Sequence, residues 1–214
     1  MSNSRITTWL AIGVIVVGFG VTARNHFAAK SIANQTQQVT KQLQTQKKVL
    51  KQRRQAAKIE YLQNVAVGTG ERGQRAQQEL AVKEAKTATK KFFKVAYTFD
   101  SQKSYNARKS KLSRIAAANV LQSKVFASDK DKTGRSVIET TDLISTYSKS
   151  KFFAGVVSDG VIAGNVEVQY KTSVGDNDPA TTTEIYAVKY DTNQHKLIDL
   201  QRVGVIAATS EDLG

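Results

Sequence analysis

The chain has 214 residues, one proline, no cysteine and a formal charge of +14. Without cysteine there is no disulfide framework, no thiolate-held zinc and no thiol nucleophile. The charge is lopsided: residues 1–94 hold 17 Lys and Arg against 4 Asp and Glu, a balance of +13, while residues 95–214 hold 15 against 14, a balance of +1, so the basicity lies outside the C-terminal part that has the length of one domain.

Residues 1–5 form a short tail. From Ile6 to Ala23 eighteen residues carry no charge, bracketed by Arg5 and Arg24. As an α-helix they would span about 27 Å, near the thickness of a bilayer's hydrocarbon core. Trp9 lies near one edge, where an interfacial aromatic belongs, and Leu10, Ile12, Val14, Ile15, Val16, Val17 and Phe19 supply an apolar surface all round. We read 6–23 as a retained transmembrane helix. Two other readings stay open: a cleaved signal ending in the small residues Val21-Thr22-Ala23, and a buried core helix, against which stands the lack of a polar face.

Residues 24–66 are rich in Gln, Lys and Ala, with no Gly or Pro, and read as a basic stalk helix. Between Arg24 and Lys58 there are nine cationic side chains and no acidic one. Lys47, Lys48, Lys51, Arg53 and Arg54 are the candidates for contact with a polyanion, whether lipid headgroups, wall polymers or nucleic acid. A solvated helix face explains them equally well. Val39, Leu43, Leu50 and Ala57 fall at heptad spacing, but Gln46 and Arg53 interrupt the seam. Copies of the stalk would associate weakly at best. Gly68, Gly70 and Gly73 mark a hinge at 67–74. No strand leads into these glycines and GxxxxGK[ST] is absent, so they do not form a phosphate loop.

A domain is expected over 75–209, before a short tail at 210–214. Its first helical pattern puts Val82, Ala85, Thr89, Phe92, Phe93 and Ala96 on one face. Asp100 or Ser101 can cap a second helix carrying Leu112, Ile115, Ala116 and Phe126. After the polar turn at "ASDKDKTGRS" the periodicity changes. "VIETTDLISTYSK" is rich in β-branched residues, "GNVEVQYKTSV" alternates, and "TTTEIYAVKY" and "KLIDLQRVGVI" form a hairpin across "DTNQH". "SDG" marks another tight turn. The fold class is α+β: two or three helices packed on one face of an antiparallel sheet of about four strands.

Catalytic patterns are scarce. His26 follows the apolar segment, His195 falls in a hairpin loop, and HExxH, GxSxG and EF-hand patterns do not occur. Asp176 and Asp178 flank a loop with Pro179, too few oxygens for calcium. No cofactor is expected. Tyr105 and Arg108, one turn apart, either meet a partner or fasten their helix to the sheet, and we favour fastening. Weak, non-specific DNA contact through the stalk is the only nucleic-acid reading the charge pattern allows.

One anchor, one connecting helix, helices and then an antiparallel sheet make an order that resembles the inner-membrane assembly factors of type IV secretion and conjugation systems. These are the eighth component of the VirB series, and more narrowly their counterparts on Gram-positive conjugative plasmids. "KKFFKVAYTFDSQKSYNARKSKLSRIAA" resembles the family's first helix, connection and second helix, and "EIYAVKYDTNQHKLIDLQRVGVI" its last hairpin, over roughly 80–207. The Asn-Pro-x-Gly turn of the Gram-negative members has no counterpart, the only proline lying in "DNDPAT". The resemblance implies a nuclear transport factor two-like fold with a curved sheet, and a non-enzymatic scaffold with one membrane pass. Its partners would be other channel components, membrane lipids and copies of itself as a dimer or trimer. It also implies an extracytoplasmic domain, whereas Arg24, Lys30 and Lys41 against Arg5 favour a cytoplasmic one by the positive-inside rule. We follow the resemblance. Two rivals remain: an accessory protein of another transport or wall-assembly machine, and a cone-shaped ligand-binding protein or enzyme, for which Tyr97, Asp100 and Tyr105 are the only cluster legible.

Overall fold

The computed structural model describes residues 36–210, with side chains as far as 206. The segment 6–23, with Trp9 through Phe19, lies outside the described residues. Among those residues no helix is long and apolar enough to cross a membrane.

The chain divides into a unit ending at Glu60 and a compact unit beginning at Tyr61. In the first unit, residues 36–60 belong to helix α1 (36–66), and every side chain from 36 to 58 is exposed, Val39, Leu43 and Leu50 included. At 100° per residue Lys47, Lys51, Arg54 and Lys58 fall within one face, where they share a shallow groove with Leu50, while Lys48 and Arg53 point elsewhere.

In the compact unit, Leu62 in the last turns of α1 is buried. The helix break occupies 67–70 and α2 (Glu71–Ala96) begins at once, so residues 71–74 are helical. Gly73 is obligatory there, because a Cβ on it would lie 1.7 Å from the Gly68 carbonyl oxygen. Ala76, Ala81, Ala85, Thr89, Phe92, Phe93 and Ala96 form the buried stripe of α2. This is the face the periodicity predicts. Phe92 meets Phe93 and Phe126 edge-on, at 5.2 and 5.7 Å between ring centres. Full burial of each ring contributes about 2–3 kcal/mol.

The second predicted helix is broken into pieces: α3 (Gln102–Asn106), α4 (Arg108–Leu112), α5 (Ala118–Leu121) and a 3-10 turn at Lys124–Phe126. Ser101 is the cap, in a capping box with Ser104. Helix cannot continue past Leu112 because the chain turns to pair with the sheet. The Leu197 N–H donates to the Ile115 carbonyl, and the Ala117 N–H to that of Leu197. A second correction concerns "VIETT", predicted as strand and found as helix α6 (Val137–Thr141). Ser136 accepts the Glu139 N–H, and the Thr140 and Thr141 hydroxyls donate back to the carbonyls of Ser136 and Val137. Asp142 closes the turn at φ 47°.

Four strands follow: β1 (Leu143–Ser158), β2 (Val161–Val174), β3 (Ala180–Asp191) and β4 (Lys196–Ser210), an antiparallel meander in the order β1-β2-β3-β4. Asp159 and Gly160, both with positive φ, make the two-residue turn between β1 and β2. Val166 and Val168 of β2 and Tyr186, Val188 and Tyr190 of β3 face α2 and complete the core. The register slips where the β4 residues Ile198, Val203 and Ile206 bulge out of the ladder with β3. On the far edge, β1 is covered by pairing between Phe99 and Ser145 and by the Gln78 amide, which bonds the Gly155 carbonyl and the Val157 N–H.

Candidate functional site

Between the short helices and the sheet lies an open cleft of about 900 Å³. Its floor comes from one face of β3. Period-two alternation places Glu184 on the same face as Tyr186, Val188 and Tyr190, so a carboxylate is carried into the core, where it is 4% exposed. A buried carboxylate is costly unless fully hydrogen-bonded, and this one is. The hydroxyls of Tyr97 and Tyr186 donate to its Oε2 at 2.7 and 2.6 Å and also touch each other. Arg202 Nη2 donates to Oε1. The slip at Val203 sets Arg202 opposite Tyr186.

Three rings, Phe93, Tyr97 and Tyr170, form a near-parallel column, tilted 17° and 18° at its two steps, with Tyr97 and Tyr170 centred 4.1 Å apart. Burial, followed by the charge of Glu184, pushes the Tyr170 phenol up to about 12. Burial raises Tyr97 and Tyr186 further, helped for Tyr97 by its contacts with Tyr186 and Glu184 and for Tyr186 by its bond to Glu184, against which the bond to Tyr97 works. These phenols therefore stay protonated and act as hydrogen-bond donors. The Arg202 guanidinium is held charged by its bond to Glu184.

Arg108 forms the other wall and is 4% exposed. Its Nη1 donates to the Ala96 carbonyl at 2.6 Å, and its Nε to that of Tyr105 at 3.0 Å. The guanidinium lies 3.6 Å from the Tyr105 ring centre, with Phe99 and Phe126 at 5.0 and 5.3 Å. Desolvation lowers its pKa. The Tyr105 hydroxyl donates to the Ala127 carbonyl. The pair therefore ties α3 and α4 to the end of α2 and to the 3-10 turn, not to the sheet as expected, because the carbonyls it reaches are those of Ala96, Tyr105 and Ala127.

Lys47, Lys48, Lys51, Arg53 and Arg54 are exposed on α1. Of the cluster Tyr97, Asp100 and Tyr105, the two tyrosines line the cleft, whereas the Asp100 carboxylate accepts the Ser104 and Ser101 hydroxyls and its pKa is lowered by them. Glu184 was missed, although its place on the Tyr186–Tyr190 face was a readable signal. Glu84 was missed too: its Oε1 accepts the Tyr190 hydroxyl at 2.9 Å and contacts His195 Nδ1, tying α2 to the β3–β4 turn. Nothing in sequence spacing joins residues that far apart. Among the described residues no three His, Asp or Glu side chains gather where they would hold a metal ion.

No family model matches the chain, and no curated protein matches it. Solved structures do. CagV, a VirB8 homolog of T4SS from Helicobacter pylori, is 16% identical, with 57% of this chain and 98% of that one covered and a TM-score of 0.40. TraH of the Gram-positive conjugative plasmid pIP501 is 18% identical, with 56% and 92% covered and a TM-score of 0.43. A periplasmic fragment of TraM is 14% identical, with 57% and 96% covered and a TM-score of 0.38. With all three scores below 0.5, function has to be read from the chain's own geometry.

Proposed function

We propose that this chain is a non-enzymatic, single-pass membrane scaffold of a conjugative type IV secretion channel, of the Gram-positive plasmid kind. Residues 6–23 anchor it, 24–66 and 67–74 carry stalk and hinge, and the unit beyond makes the protein–protein contacts, outside the cytoplasm. Lys47, Lys48, Lys51, Arg53 and Arg54 meet lipid headgroups or, weakly, passing DNA, and copies associate as dimers or trimers. One observation carries the non-enzymatic reading: the buried carboxylate is 4% exposed and is engaged by Tyr97 and Tyr186 on one oxygen and by a full counter-charge, Arg202, on the other. A general base needs a lone pair aimed at a substrate. The order of elements in the compact unit, helices and then an antiparallel meander, also agrees with the resemblance of 80–207 to the assembly factors.

The test is transfer frequency in a host carrying the full conjugative element. Deleting the chain should abolish transfer, and deleting 6–23 should do the same while releasing the protein from carbonate-washed membranes. Tyr97→Phe, which removes one donor from Glu184, should leave transfer within about twofold, since a net hydrogen bond is worth only about 1 kcal/mol of stability. A second reading, a cone-fold ligand-binding protein or enzyme, is favoured by the tyrosines around Glu184. Loss of transfer in a stably folded Tyr97→Phe chain would select it.

A further inference from the structure

The near-even charge of residues 95–214 hides a split between the two layers of the compact unit. Residues 85–128, the C-terminal part of α2 and the short helices after it, hold ten Lys and Arg against one Asp. Residues 129–214, mostly sheet, hold nine against thirteen Asp and Glu. On α2, Lys86, Lys90 and Lys94 follow one another a turn apart with Lys91 beside them, and all four are exposed. No acidic residue stands three or four positions from any of them, so no neighbour on the helix face offsets their repulsion. Helix α4 packs against α2 and adds the exposed Lys109 and Lys111, with Arg114 just beyond. Such a face is complementary to an anionic partner.

We propose that this face of the helical layer docks on the anionic headgroups of a phospholipid bilayer. The residue types favour lipid over nucleic acid. Eight of the ten cations are lysine, and one of the two arginines is the buried Arg108. Lysine is a hydrated point charge on a flexible stem, suited to a diffuse layer of anions, whereas arginine forks onto single phosphates. The rings of the layer turn inward: Phe92, Phe93, Phe99 and Phe126 are buried, so bases would find no platform to stack on. Among the described residues no large apolar side chain between 68 and 136 is exposed, which keeps the contact at headgroup level, without insertion. The proposal rests on the reading of 6–23 as an anchor, which supplies the bilayer, and it adds a contact that neither the anchor nor the stalk lysines make. Each lysine at an anionic surface contributes about a fivefold factor, an attraction that fades within a Debye length.

The chain has no cysteine, so a single fluorophore can be placed by Thr87→Cys, among these lysines, or by Asn165→Cys, on the sheet face turned away from α2. Each full-length chain is set in nanodiscs that carry a headgroup acceptor dye, made with phosphatidylglycerol or with phosphatidylcholine alone. In the anionic discs energy transfer should be stronger from position 87 than from position 165. The contrast should vanish in phosphatidylcholine, and in about 1 M salt, where the Debye length is about 3 Å. Lys86→Gln, Lys90→Gln and Lys94→Gln combined should lower the docked-to-free ratio about a hundredfold. The unfolding midpoint should stay in place, since Gln suits an exposed helix as well as Lys does. Lys149→Gln with Lys151→Gln, exposed on β1, should leave the ratio unchanged. Equal transfer from both positions, transfer that ignores lipid charge, or an unchanged ratio in the triple variant would overturn the proposal. Displacement of the position-87 label by duplex DNA at equal phosphate would overturn it too, and would assign the face to nucleic acid. Retention in zwitterionic discs reads the anchor and the contrast between labels reads the docking, so the two ideas fail separately.

Discussion

Arg108 and Glu184 are each 4% exposed and line the same cleft, yet they are stabilised in different ways. Among the described residues Arg108 has no carboxylate as a hydrogen-bond partner. It is held by carbonyl oxygens, one of them Ala96 at the negative end of the α2 dipole, and by three aromatic faces. Glu184 has a full counter-charge in Arg202 and two phenol donors. The difference teaches that a cation can be buried by backbone and ring electrons alone, because guanidinium is weakly hydrated and its donors fork. A carboxylate has no such substitute and must be met by hydrogens.

Arg108→Ala should have the largest effect, a loss of about 3–4 kcal/mol, from the cavity left and from the unpaired carbonyl of Ala96. Denaturant unfolding of the full-length chain measures it, and Arg108→Lys should recover less than half, since an ammonium cannot supply a planar fork over Tyr105. Recovery by Lys would show that charge alone is what matters. Next comes Arg202→Ala, at about 2–3 kcal/mol, because it strands a buried carboxylate. Adding Glu184→Gln to that chain should return about half of the loss, a coupling that a double-mutant cycle reads directly. Additive losses would mean the two side chains do not depend on each other.

The smallest effect is alkaline. Burial raises Tyr170 from 10.0 to about 12, so the folded chain holds that proton more tightly than the unfolded one. The stability it confers is complete below pH 10 and is lost as pH rises toward about 12. Unfolding midpoints should fall over that window, and Tyr170→Phe should make the decline shallower. An unchanged slope in that variant would assign the decline to the other buried phenols.

Much of the fold was legible because it is local. The α2 stripe follows from helical period, Val166 and Val168 from strand alternation, and the turns from "SDG" and "DTNQH". The two misreadings have different causes. "VIETT" has β-branched composition but also the Ser-x-x-Glu start signal at Ser136 and Glu139, and capping by Ser136 prevailed over propensity. The helix expected after Ser101 was cut short by pairing of Ile115 and Ala117 with Leu197, a partner eighty-odd positions on. Of the site, the sequence singles out Tyr97, Tyr105 and Arg108, the last two as fasteners of their helix to the sheet, whereas they bond Ala127 and Ala96 outside it. It does not single out Glu184, Arg202 or Ser123.

By itself the sequence determined the placement of charge, the apolar segment at 6–23, the helical and strand periodicities, and so the α+β class, all properties of neighbours within a few residues. Only the tertiary structure decided that Tyr97, Tyr170, Tyr186 and Arg202 surround one carboxylate and that Ser123 is left without a partner beside them. Those groups come from one helix end, three strands and a 3-10 turn. Which of them meet depends on how the sheet's register slips and how the broken helices settle on it, and no local pattern encodes that.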